Sequence, residues 1–402
     1  MSQEIKGVMD KNSELRIGVI GCGGRGRLAR HAHKPGQGSR LVAGCDIRPE
    51  ALSEFQEFCG EDTFVCTDYR ELLEQPGIDA VFVTTPDYWH EEHALAALDA
   101  GKAIYLEKPM TITTAGCDRV LEKARANGLK LFLGHNMRHM SFVQEMKKLI
   151  ENGAIGEVKA GWCRHFVAYG GDAYFKDWHA ERSKATSMLL QKGAHDIDVL
   201  HWLCGGYSRR VTALGNLTVY NQIEDRHDPS ERGDASWRLE NWPPLSQKGM
   251  NPVIDVEDLS MMNMELDNGV LCSYQQCHYS PDGWRNYTII GTEGRVENLG
   301  DSPGSCVVQL WNKRCHYKAD GDVQYPMEPV TGGHGGADPA IVGEFVRFVR
   351  EGGSIKTSAI AARNSVAAGC AGAESLRQGG VPVVIPAPSS GLVDYFGQWV
   401  ES

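Results

Sequence analysis

Arg16-Ile17-Gly18-Val19-Ile20-Gly21-Cys22-Gly23-Gly24-Arg25-Gly26 is the stretch that decides the fold. An apolar run of strand length ends in G-x-G-x-x-G at Gly21, Gly23 and Gly26, and a helical stretch opens near Arg25. A glycine-rich turn alone carries little. Here it is answered by Asp46, which closes the next apolar run, Leu41 to Cys45, about 20 residues on. That arrangement predicts a dinucleotide site. Gly21 permits the tight turn, Gly23 lets the backbone approach a pyrophosphate, and Gly26 allows a helix to pack closely on the strand. The helix start, at Gly24 and Arg25, offers N–H groups and partial positive charge to phosphates. Asp46 can accept both ribose hydroxyl hydrogens and repels a 2′-phosphate, so NAD is favoured over NADP. Ile47 flanks it, and Arg48, two residues on, leaves use of both cofactors open.

Outward from this loop, short apolar strands alternate with helical stretches as far as about Met140, the signature of a parallel sheet. Arg16 to Ile20, Leu41 to Cys45, Ala80 to Thr84, Ala103 to Leu106 and Leu131 to Leu133 read as strands. After a linking helix near Val143 to Asn152 the texture changes to longer alternating strands with turns such as Asp267-Asn268-Gly269. Residues 221–252 read as a long polar loop, either a lid or partner-facing. Two helices, Ile341 to Arg350 and Thr357 to Arg377, come late in the chain. The expected fold is an α/β Rossmann domain over residues 14–138, followed by an α+β domain over residues 139–402 with a large open, mostly antiparallel sheet.

Composition narrows the function classes. The 402 residues exceed what one core usually serves, and the net charge of −11 disfavours nucleic acid and membrane surfaces as partners. A small molecule is the expected ligand. The polar start and the lack of an apolar run long enough to span a bilayer lead to the expectation of a cytoplasmic protein. The 12 cysteines form no C-x-x-C pair, so reduced thiols and no metal site are expected.

Chemistry-bearing residues cluster at strand ends, where open α/β sheets bind ligands. Thr84-Thr85-Pro86, with His90 just beyond, ends the strand that starts at Ala80, Glu107-Lys108-Pro109 follows Ala103 to Leu106, and Gly134-His135-Asn136-Met137-Arg138 follows Leu131 to Leu133. Together with the glycine loop, Gly193-Ala194-His195-Asp196-Ile197-Asp198 and Gly332-Gly333-His334-Gly335-Gly336-Ala337-Asp338, these segments resemble the Gfo/Idh/MocA family over nearly the whole chain. The resemblance implies a two-domain oxidoreductase that moves hydride between NAD and a carbon of a sugar or cyclitol, C3 in a pyranose. It also implies a lysine, an aspartate and a histidine around the reacting hydroxyl. Lys108 and His195 match. Gln191 stands where the aspartate is usual, one helical turn before the histidine, and an amide can orient a hydroxyl but cannot hold a proton.

Oxidising an alcohol requires a base as hydride leaves, and His195 is the natural candidate, with Lys108 relaying the proton or polarising the oxygen. Cofactor contacts are expected from Thr84, Thr85, Pro86, His90, Glu107, Lys108 and Asn136. Arg138, Arg164, Trp178, His179 and Asp198 are the substrate-side candidates. A second reading, also implied by the resemblance, is a glycosidase that oxidises its sugar transiently, eliminates the leaving group, adds water and is reduced back, acting on an anionic sugar such as a sulfoquinovoside. A third is a non-catalytic sensor. The open sheet needs a cover, and the resemblance implies a homodimer or homotetramer.

Overall fold

The computed structural model describes residues 13–302 and 304–400. The polar start, residues 1–12, lies outside them. Strands Leu15–Ile20 (β1), Ser39–Cys45 (β2), Phe64–Cys66 (β3), Ala80–Val83 (β4), Ala103–Leu106 (β5) and Leu131–Leu133 (β6) form one sheet in the order β3-β2-β1-β4-β5-β6. All its pairings are parallel. The apolar residues of β4 and β5 are buried throughout, as strands covered on both faces must be. Strand order reverses between β1 and β4, so their carboxyl ends bound the crevice where this architecture holds its ligand.

The chain divides differently from a single cut after residue 138. One compact unit runs to His139 and also takes in Gly332–Arg363 and the chain from Pro388; the other is Met140–Thr331 with Asn364–Ala387. The reason is coverage of the parallel sheet. The helix Ala337–Glu351 brings Phe345 edge-on to Phe82 of β4 and Tyr105 of β5, at ring separations of 5.0 and 5.6 Å. That sheet face is closed by a segment about 200 residues later in the chain.

In the second unit, Val158–Phe166 (β7), Ser208–Asn216 (β8), Leu259–Leu266 (β9), Leu271–Cys277 (β10), Trp284–Gly291 (β11), Arg295–Leu299 (β12), Val307–Trp311 (β13), Val323–Pro326 (β14) and Val383–Val384 (β15) build a nine-stranded sheet. Its order is β14-β13-β12-β11-β7-β10-β9-β8-β15. The pair β7–β10 is parallel and the others are antiparallel. Gly269, at φ +84°, makes the turn between β9 and β10 that Asp267-Asn268-Gly269 predicts. Helices Ser141–Glu151 and Gly193–Cys204 lie on one face. The other leaves Leu214 65%, Leu271 61% and Met261 52% exposed. Residues 221–252 form an irregular excursion with short turns at Leu239–Asn241 and Pro244–Ser246. Among the described residues no helix is long and apolar enough to cross a membrane, and no cluster of metal-ligating side chains occurs.

Candidate functional site

The glycine loop has the geometry its sequence demands. Gly21 sits at φ +85°, which strains any residue with a side chain, and a Cβ on Gly26 would lie 1.9 Å from the Gly21 carbonyl oxygen. The Thr84 hydroxyl donates to that same oxygen at 2.8 Å, joining β4 to the loop. Asp46 accepts from the Gly23 N–H at 2.9 Å on one oxygen and from the Arg48 N–H at 3.1 Å and Nε at 3.3 Å on the other. Its carboxylate thus holds the loop shut from below while one acceptor site remains for a ribose hydroxyl. Ile47, beside it, is 84% exposed and offers an apolar surface to a planar ring. The segment after the loop, Gly24–Ala32, is wound as a 3₁₀ helix, tighter than the α-helix its spacing suggests. Burial, with the Asp46 charge, pushes the Cys22 thiol up to about 12, so it stays protonated and inert. Turn, acidic strand end and exposed apolar neighbour fit an adenine dinucleotide.

Arg25 is fixed rather than free to reach for phosphate. Its Nε donates to Glu107 at 2.6 Å, and Nη1 and Nη2 grip both oxygens of Asp338 at 2.8 and 3.0 Å. His334 and the Asn136 amide complete the ring around Asp338, at 2.9 and 3.0 Å. Burial alone would raise the Asp338 carboxyl, but His334 and Arg25 outweigh it and hold it well below the carboxylate range. The late glycine-rich segment exists to make this approach: a Cβ on Gly333 would lie 2.4 Å from the Asp338 carboxylate.

Glu107 spends its second oxygen on the Lys108 N–H at 2.7 Å, so the glycine loop and the lysine are tied through a single carboxylate. Lys108 is half-buried and its peptide bond to Pro109 is cis. His90, buried, contacts the Thr85 carbonyl at 2.8 Å and the Pro109 carbonyl at 2.7 Å, acting as a strut between the two strand-end turns. Arg138 is buried too, donating to the Lys356 carbonyl at 2.6 Å.

In the second unit His195 opens the helix Gly193–Cys204 and its neighbour Asp196 plants that helix on the sheet. Asp196, wholly buried, accepts from Arg285 Nε and the Tyr274 hydroxyl, each at 2.9 Å, and from the Tyr287 hydroxyl, with His165 at 3.0 Å. Burial would raise its carboxyl, but Arg285 leads the groups that hold it far below the ordinary range. Burial, and then Arg285, push His165 down to about 3, so this imidazole is neutral and donates to Asp196. Arg285 also meets Asp301. Sequence reading named none of Asp196, Arg285, Tyr274 or Tyr287 as site residues, because their roles arise from three strands converging on one helix.

Trp178 and His179 stack at 3.7 Å, and Tyr174 meets His179 edge-on at 5.2 Å. Gln191 and Asp198 are buried. Arg164 is not with them. Side chains alternate along a strand, and its neighbour His165 faces Asp196, so Arg164 projects from the opposite face, donating to Asn286 at 3.0 Å.

A family profile described as "Oxidoreductase family, NAD-binding Rossmann fold" (GFO_IDH_MocA) matches residues 15–135, and its companion, "Oxidoreductase family, C-terminal alpha/beta domain", matches residues 147–385. Inositol 2-dehydrogenase of Pseudomonas fluorescens is 34% identical over 47% of this chain and 54% of its own length. Inositol 2-dehydrogenase/D-chiro-inositol 3-dehydrogenase of Halalkalibacterium halodurans is 33% identical over 54% of this chain and 60% of its own. The matched region therefore spans little more than half the length of these dehydrogenases. Levoglucosan dehydrogenase, solved with NADH and levoglucosan, superposes with a TM-score of 0.74 at 22% identity, covering 93% of this chain and 100% of its own, a likeness of fold.

Proposed function

This chain belongs to the Gfo/Idh/MocA oxidoreductase family, with its NAD-binding Rossmann domain at the N-terminal end, and we propose on that premise that it is an NAD-dependent dehydrogenase of a ring hydroxyl on a cyclitol or pyranose. The observation that carries the reading is the Arg25–Glu107–Lys108 connection, which ties the dinucleotide loop to a lysine at the neighbouring strand end. The bound nicotinamide supplies the hydride acceptor. Lys108 polarises the substrate oxygen with its charge and His195 accepts the hydroxyl proton. Gln191 orients the hydroxyl by hydrogen bonding. Asp46 favours NAD over NADP through repulsion of a 2′-phosphate. The names of the relatives, inositol and levoglucosan dehydrogenases, support the substrate class.

The test is a panel of cyclitols, pyranoses and their uronates with NAD or NADP, followed at the absorbance of reduced nicotinamide. Growth with NAD on at least one compound is expected, with Asp46→Ser cutting the preference for NAD over NADP by about 10-fold or more. Aryl glycosides cleaved in an NAD-dependent way, with no reduced cofactor accumulating, would replace this reading with the redox-neutral glycosidase.

A further inference from the structure

Lys192 stands between Gln191 and the histidine helix, three residues before His195 and therefore on the same side of that turn. It is 8% exposed, and its ammonium lies 5.4 Å from the ring centroids of both Tyr169 and Tyr174. Among the described residues no carboxylate forms an ion pair with it. A buried cation without an anion is costly, so the groups around it decide what the arrangement is for. From β11 comes Arg285, already matched by Asp196 of the histidine helix and by Asp301. His165 of β7 and His278 beyond β10 are buried and held neutral, His278 well below its usual value through burial. The two phenols are what remains to balance the ammonium.

They are not equivalent. Burial pushes both up. At Tyr169, Lys192 and then Arg285 outweigh burial and bring the phenol below its ordinary value, whereas at Tyr174 burial wins and the phenol is raised. Lys192 itself is disfavoured as a cation by burial, yet Tyr169 and Tyr174 carry it above its ordinary value. Tyr169 is also not fully buried, so its proton can reach water.

We propose, on the basis of the dehydrogenase reading above, that Tyr169 and Lys192 form an acid–base pair on the proton path, supplying the proton-holding capacity that Gln191 lacks. As hydride leaves the substrate carbon for NAD, the C–O single bond becomes a carbonyl and the hydroxyl proton passes to His195. His195 returns to its neutral form by giving that proton to the phenolate oxygen of Tyr169, and Tyr169 releases it to water. In the reverse direction Tyr169 is reloaded from water and His195 delivers the proton as hydride returns. Lys192 acts through Tyr169 as a positioning and charge-balancing residue.

The experiment is an absorbance titration of tyrosinate on the whole protein, repeated by NMR with tyrosines labelled at the ring carbon that bears the hydroxyl. Wild type should show one tyrosine titrating below the rest. That step should vanish in Tyr169→Phe, move up in Lys192→Met and persist in Tyr174→Phe. No substrate is needed, so the titration stands or falls independently of the dehydrogenase reading. With a substrate from the panel, Tyr169→Phe should lower kcat by about 100-fold with KM little changed, and added imidazole buffer should restore part of the rate. The proposal is overturned if no tyrosine titrates early, or if Lys192→Met leaves that step in place. It is equally overturned if Lys192→Met only raises KM for an anionic substrate while kcat and its pH profile stay as they were, since the ammonium would then bind a substrate anion.

Discussion

Lys108→Met is expected to lower kcat/KM by about 1,000-fold or more while NAD still binds. The lysine is asked for charge at the substrate oxygen as the hydroxyl ionises, and a positioned cation at that point is worth several kcal/mol in a site shielded from water. Methionine keeps the length of the side chain and removes the charge. The backbone of residue 108 is held through its N–H by Glu107, and Glu107 by Arg25, so neither anchor depends on the lysine ammonium. The glycine loop should therefore keep its shape, and fluorescence titration with NAD should give a dissociation constant within about 3-fold of wild type. A loss of activity under 10-fold would remove Lys108 from the chemistry. A large loss accompanied by failure to bind NAD would make it a cofactor residue instead.

Acid should destabilise this protein well before its carboxylates protonate. Burial pushes His93 down to about 4 and His165 down to about 3. His278 is likewise held far down and His90 lowered, in each case through burial first. An unfolded chain takes protons at these histidines from about pH 6.5 downward, whereas the native protein refuses them until pH approaches the lower folded values. Stability thus falls as pH drops through that window. At pH 5 the deficit is about 2 kcal/mol for each strongly shifted histidine, hence about 4 kcal/mol for His93 and His165 together relative to pH 7.5. The depressed carboxyls of Asp196 and Asp338 act elsewhere on the scale. Their stabilisation is complete above the usual carboxylate range and is lost only as pH falls toward their own lower values. Urea unfolding at pH 7.5 and 5.0 measures the difference, and equal free energies at the two values would mean these imidazoles are not buried and neutral.

The features readable from sequence were those carried by short, contiguous chemistry. Gly21, Gly26 and Asp46 announce a turn, a close approach and an acidic strand end within about 25 residues, and the folded loop has that geometry. The apolar strands β1, β2, β4, β5 and β6 were legible for the same reason, while β3 was not located, being three residues long with Phe64 and Val65 only half-buried. What escaped was whatever depends on distant partners. Arg25 and Asp338 are 313 positions apart, so nothing local distinguishes a phosphate-reaching arginine from one gripped by a carboxylate. Arg164, a substrate-side candidate, and its neighbour His165 are sent to opposite faces of the sheet by strand alternation. Asp196 looked like a neighbour of the histidine and is instead the anchor that fixes the helix carrying it.

The departure at Gln191 gains a physical counterpart from the fold. Gln191 stands where the resemblance implies a carboxylate, and a buried ammonium with two phenols follows at the next residue. If Tyr169 and Lys192 carry protons as proposed, the dehydrogenase reading does not need an aspartate at position 191.

Transfer of deuterium tests the central claim most directly. The protein is incubated with NAD and carbon-deuterated cyclitols and pyranoses, and the nicotinamide product is weighed by mass spectrometry. Direct hydride transfer from a ring carbon predicts reduced cofactor carrying one deuterium from at least one of these compounds. Cofactor that binds but stays oxidised across the whole set, or is reduced without label, would contradict the account.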